Sequence, residues 1–254
     1  MQVDQLIKNR CDTGRVLGTD AVGSCGGAPG TRHPAPHLAL STKHQALQVI
    51  YDRLLSLFLL SPAWCGGRRA KMLMRQGATH QLAVRLDAGT LTLGEAFAFM
   101  SGLYFRGKLA YATAFADRGR PSTFVITPTR GLQPPDLTIT RALIDEFAGV
   151  DVSQDDERYR RPLLADARRL EGAIATHDRI VLLGSVATAK YLDVLSGVFG
   201  ERLSFPSDFV GRGDMSRGAL MLRAAAAGTE LEYVALTDQT PRHGRRPPRL
   251  TPVL

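Results

Sequence analysis

"RIVLLGSVATAKYLDVLSGVFG", residues 179–200, decides the fold. Ile180-Val-Leu-Leu183 is a short, unbroken apolar run, too short for a helix and without polar alternation, which suits a strand buried on both faces. Gly184-Ser185 ends it, and residues 187–200 read as the helix that follows. A buried strand feeding a helix is the unit of an α/β sheet.

The same unit recurs outward from this stretch. "SLFLLSPA" (56–63) and "STFVITPT" (122–129) read as buried strands, each ended by a proline. "ERLSF" (201–205) is a fourth strand and "TELEYVAL" (229–236) a late edge strand. Helices are expected over 45–55, 68–76, 79–89, 93–116 (with an internal glycine at 102), 140–150, 157–175 and 218–228. Pro162 is expected in a first turn, where a helix accepts it, and Gly228 as a C-terminal cap. The expected fold is α/β, a mostly parallel central sheet flanked by helices, over residues 46–238. Residues 1–45 are rich in Gly, Pro, Thr and His and lack apolar periodicity, so a disordered extension is expected. Residues 239–254 form a basic Pro/Arg-rich tail.

The chain has 254 residues, enough to bury a sizeable core. No apolar run reaches the ~18 residues of a membrane helix, and the start, "MQVDQ", has no apolar signal core. A cytoplasmic protein with no membrane partner is the expectation. Cys11, Cys25 and Cys65 are odd in number and widely spaced, which argues against disulfides and zinc. His33, His37 and His44 are too scattered to suggest a metal site. Cys65 opens a predicted helix and reads as either a buried thiol or a reactive one.

The net charge is +8, and its location matters more than its size. Residues 56–130 carry +7 and residues 239–254 carry +4, whereas 131–238 is net acidic. A localised basic field attracts polyanions, nucleic acid first among them. Arg68, Lys71 and Arg75 share one helix face, with Arg69 beside them. That stripe suits phosphate contact, and equally a solvated helix face.

Ligands of α/β sheets gather beyond the carboxyl ends of the strands. Three strand ends here carry small polar turns, at Ser61, at Thr127-Pro-Thr-Arg130-Gly131, and at Ser185. "GRGDMSRGAL" (211–220) adds two glycines, Arg212 and Arg217. Asp214 or Ser216 is expected to cap the helix that follows. Two guanidinium groups beside free backbone N–H groups make an anion site, and Gly213 and Ser216 belong to it. The glycine spacing matches neither a P-loop nor GxGxxG. No cofactor or metal is expected.

"GRGDMSRGAL" resembles the Arg-Gly-x-Met-Ser-Arg segment of the bacterial peroxide-stress protein family, whose members bind DNA on a uracil-DNA-glycosylase-like α/β architecture. Ser61-Pro62-Ala63 matches three of the four residues of that family's first strand end, Ser-Pro-Ala-Lys; Trp64 stands where the lysine does. "TPTRGLQPP" (127–135) shares the context of its middle strand end, and Tyr191 is similar to a tyrosine of its later strand-to-helix segment. The letters Ser-Gly-Leu-Tyr also occur at 101–104, inside a predicted helix. The resemblance implies a DNA-binding protein, DNA before RNA, linked to oxidative stress. Phosphate contacts would come from Ser61, Arg68, Arg69, Lys71, Arg75, Thr127, Arg130, Gly131, Ser185, Arg212, Gly213, Ser216 and Arg217. Two alternatives stay open. One is an N-glycosidase or nucleotide hydrolase, with Asp208 and Asp214 as the candidate acids. The other is a module that binds another protein.

Overall fold

The computed structural model of the chain describes residues 56–248, apart from 118, 188 and 238. The extension expected over 1–45, its histidines, Cys11, Cys25, the helix read at 45–55 and tail residues 249–254 lie outside the described residues.

Six strands form one sheet: β1 (Ser56–Leu60), β2 (Thr123–Ile126), β3 (Leu132–Gln133), β4 (Arg179–Leu183), β5 (Leu203–Pro206) and β6 (Tyr233–Ala235). Their order across the sheet is β3-β2-β1-β4-β5-β6. The four inner strands run parallel, with Leu57 opposite Ile180 and Phe58 opposite Thr123. Both edge strands run antiparallel. The sheet is therefore mixed, which corrects the expectation of a mostly parallel one at its two edges.

Each edge has a physical reason. Five residues separate β2 from β3, too few for a crossover, so the chain must turn straight back. Thr127 makes that turn: its N–H and hydroxyl both donate to the Gly131 carbonyl, at 2.9 and 3.0 Å, and its Oγ1 accepts from the Arg130 N–H. At the other edge the chain leaves β5 at Pro206 and re-enters opposite the same residue at Tyr233.

The helices are α1 (Arg68–Met74), α2 (Gln81–Asp87), α3 (Leu93–Ser101), α4 (Leu103–Phe115), α5 (Arg141–Ala148), α6 (Glu157–Ala173), α7 (Ala189–Phe199) and α8 (Asp214–Ala227). A capping box between Thr92 and Glu95 starts α3. Gly102, at φ 65°, splits the 93–116 segment into α3 and α4. Pro162 lies in the second turn of α6, one turn later than expected. α8 begins at Asp214 rather than Gly218, and neither Asp214 nor Ser216 caps it: the N-cap is Gly213, with no side-chain bond.

Successive strand residues point to opposite faces. Leu57, Phe58, Leu59 and Leu60 are all fully buried, and so are Ile180 to Leu183, so helices cover both faces of the inner sheet. The tail is not free over its described part: carbonyls of Gly244 and Arg245 lie against Gly211, and Gly244 against Val210.

Candidate functional site

β1 has β2 on one side and β4 on the other, so the connections part at its carboxyl end. That is the switch point at which open α/β sheets leave a crevice for ligands. A cleft of about 520 Å³ opens there. Ser61, just past β1, and Ser185, just past β4, form its floor. Trp64, Arg68 and Arg69 stand on one wall, Lys190 and Tyr191 on another, and Asp214 of α8 also lines it.

Beneath the floor lies Lys108 of α4, fully buried. Its Nζ donates to the Ser61 carbonyl at 3.0 Å and lies 2.6 Å from Ser61 Oγ. The Tyr104 ring centroid is 3.8 Å from the same nitrogen, so two oxygens and a π face surround the amine. No described carboxylate lies within ion-pair distance of it. Burial pushes its pKa down to about 7; the charge of Asp214 opposes that shift and Arg217 adds to it. Lys108 can therefore hold or release a proton near neutral pH. Burial also raises the phenols of Tyr104 and Tyr191, which stay protonated, and the Tyr191 hydroxyl faces Ser61.

The expected residues divide into two sets. Ser61, Arg68, Arg69, Ser185 and Asp214 meet in the cleft. Lys71 and Arg75 are exposed on α1 and at its end but do not line it. Thr127 is fully buried in the β2–β3 turn with Gly131, and Arg130 is paired with Glu146 at 2.6 Å. Those three residues hold a hairpin and an ion pair, away from the cleft lining.

The 211–217 corner is built by its own arginines. Arg217 is buried, donating to the Phe209 carbonyl at 3.1 Å and to Asp214 at 3.4 Å. Arg212 donates to the Asp208 carbonyl at 2.9 Å and to Ser216 Oγ at 3.3 Å. Both guanidinium groups are tied to the loop, and Gly213 serves as the helix N-cap. Asp208 pairs with Arg212 at 3.7 Å and does not line the cleft. Cys65 is buried, and its thiol is pushed up to about 12 by that burial, which removes the reactive reading.

The lining residues Ser101 and Tyr104 and the buried Lys108 beneath them have no strand-end signal. Ser101 and Tyr104 belong to the Ser-Gly-Leu-Tyr letters at 101–104, which reach the cleft from the ends of α3 and α4. Lys108 carries a sequence signal of another kind. It shares the apolar stripe of Tyr104, Phe105, Tyr111 and Ala112 on α4, so its helical phase alone points it inward.

A second hollow, of about 430 Å³ beside β6, is bordered by Phe205, Val210 and Val234 and has no charged residue in its lining. Among the described residues no group of His, Cys, Asp or Glu is placed to hold a metal, and no helix is long and apolar enough to cross a membrane. No family model, curated protein or solved structure matches the chain.

Proposed function

We propose that the protein binds nucleic acid, DNA before RNA, in the cleft beyond β1 and β4. One observation carries the reading: a cleft at the sheet's switch point holds Arg68, Arg69 and Lys190, with Asp214 as its one acid and Arg217 beside that acid. Cations around small polar groups suit phosphate. The +7 charge of residues 56–130 would draw the polymer in. A uracil-DNA-glycosylase-like core and a part in peroxide stress belong to the same proposal; they rest on the resemblance of residues 61–63 and 211–220.

The test is binding of labelled DNA to the full chain across a salt series. Affinity is expected to fall steeply with salt, and each of Arg68→Ala, Arg69→Ala and Lys190→Ala to lower the log–log slope by about 1. Lys71→Ala and Arg75→Ala should change it less. Affinity indifferent to salt, or to all three cleft substitutions, would remove the reading.

The Ser61–Lys108 pair favours a second reading, an N-glycosidase or nucleotide hydrolase that uses the same cleft. An amine with its pKa near 7 at 2.6 Å from a hydroxyl suits a general base beside a nucleophile or a bound water. A screen of nucleosides, nucleotides and damaged-base DNA tests it. Turnover is expected to drop at least about 100-fold in Lys108→Met and to fall in Asp214→Asn, while Asp208→Asn stays near the parent. Absence of turnover on every substrate leaves the binding protein alone.

A further inference from the structure

Trp64 is 77% exposed, more than any other large apolar side chain among the described residues. It is also the only tryptophan of the chain. An indole left in water forgoes the burial that usually holds it. Its exposure is not that of a loose side chain. A Cβ built on Gly66 would come 3.1 Å from Trp64 Nε1 and 3.2 Å from Cε2; one built on Gly67 would come 3.2 Å from Cε3. The ring therefore lies along the bare backbone of two glycines, and any side chain at either position would lift it. The remainder of the ring is open, and it faces the cleft that Arg68 and Arg69 share.

We infer that Trp64, seated on Gly66-Gly67 beside Arg68 and Arg69, is a stacking platform for an unpaired base, so the polymer this cleft takes is single-stranded. A flat aromatic face next to guanidinium groups is the arrangement that reads single strands: bases stack on the ring and phosphates meet the cations. Bases of an intact duplex are stacked on one another and offer no free face. A cleft of about 520 Å³ falls in the size range of small-molecule sites and suits a nucleotide unit rather than a duplex. The inference rests on the nucleic-acid reading above and narrows it.

The sole tryptophan makes the test direct, because its fluorescence reports the contact itself. The full chain is titrated with a single-stranded DNA 12-mer, the same sequence as duplex, and an abasic strand of equal charge. The single strand is expected to quench emission by more than about half and to bind roughly tenfold tighter than the duplex. The abasic strand is expected to bind through Arg68 and Arg69 without quenching. Trp64→Ala should weaken the single strand roughly tenfold and leave the abasic strand unchanged, whereas Trp64→Phe should keep most of the affinity. Single-strand binding without quenching, or equal affinity in Trp64→Ala, overturns the platform and leaves the phosphate cleft standing. Failure of all three polymers to bind removes both readings. Emission already blue-shifted in the free protein, deepening with protein concentration, shows the indole covered by a second copy and also overturns it.

Discussion

A Gly218→Ala protein is expected to melt about 4–8 °C below the parent, although alanine is the better helix former. α4 and α8 cross with their backbones touching. A Cβ on Gly218 would fall 2.6 Å from the Leu103 carbonyl oxygen and 2.8 Å from Tyr104 Cα. A Cβ on Gly107 would fall 2.5 Å from the Gly218 oxygen. The atoms met are backbone, so no side chain can swing away, and the helices must part. Overpacking against backbone that cannot swing aside falls at the upper end of the usual range, about 3 kcal/mol, and the gain in helix propensity returns about 1 kcal/mol; a net loss of about 2 kcal/mol gives the stated shift. The site should register it too. Tyr104 and Lys108 come from α4, Asp214 and Arg217 from α8, so parting the helices pulls Lys108 away from Ser61 and opens the cleft floor. Gly107→Ala should behave alike. The double variant should cost less than the two singles together, since the second methyl enters a gap the first has made. Melts followed by circular dichroism on the four proteins decide it. An unchanged midpoint in Gly218→Ala would mean that the helices do not touch at that residue.

Why these two glycines escaped notice in the sequence shows where its reading stops. Gly107 and Gly218 sit in helices without changing any apolar pattern, and only their meeting, across 111 positions, gives them meaning. Strands β1, β2 and β4 were legible because a run such as Leu57-Phe-Leu-Leu60 is buried on both faces and needs no context. β3 was not, because two residues carry no periodicity. Strand direction at the edges was likewise hidden. "TPTRG" reads as a strand end open to a ligand, whereas Thr127 spends its hydroxyl and its N–H on closing a hairpin.

The candidate site divides along the same line. Ser61 and Ser185 were found by position, since strand ends at a switch point line a crevice whatever their neighbours. Arg212 and Arg217 stand out by their charge beside a helix start, and neither charge nor position along the chain says where an arginine's hydrogen bonds go. Carbonyls of Asp208 and Phe209 lay within reach of each and took them. Arg68 and Arg69, at the start of α1, stay exposed at the cleft, where Arg69 makes a long bond to the Phe99 carbonyl at 3.5 Å. The stripe expected along 68, 71 and 75 follows the helix surface instead, and only its first member reaches the cleft.

Replacing Lys108 by methionine is expected to flatten the pH dependence of stability between 7 and 9, because an aliphatic side chain has no proton to release. The unfolded chain holds the lysine proton up to its ordinary value of 10.5, whereas the folded chain releases it from about 7. Between those values the unfolded state binds more protons, so the parent's stability rises with pH, by at most about 1.4 kcal/mol per unit. Cys65 acts with the opposite sign: its thiol ionises at 9.0 when unfolded and near 12 when folded, so its effect lowers stability as pH passes 9. The two slopes cancel midway between 9.0 and 10.5, and the raised phenols of Tyr104 and Tyr191 add to the fall, so the parent should be most stable between about pH 9 and 10. The methionine variant should lose the rise below 9 and keep the fall above it. Denaturant unfolding at pH 6 to 10 on both proteins measures the two limbs separately. Equal slopes from 7 to 9 would mean that the amine stays charged, held by the Ser61 oxygens and the Tyr104 ring. A rise confined to the parent would leave a buried amine that costs stability across the physiological range, with no described carboxylate at ion-pair distance and only the partial help of Asp214's charge. Its 2.6 Å approach to Ser61, at the base of an open cleft, is then the feature that Lys108 preserves at that cost.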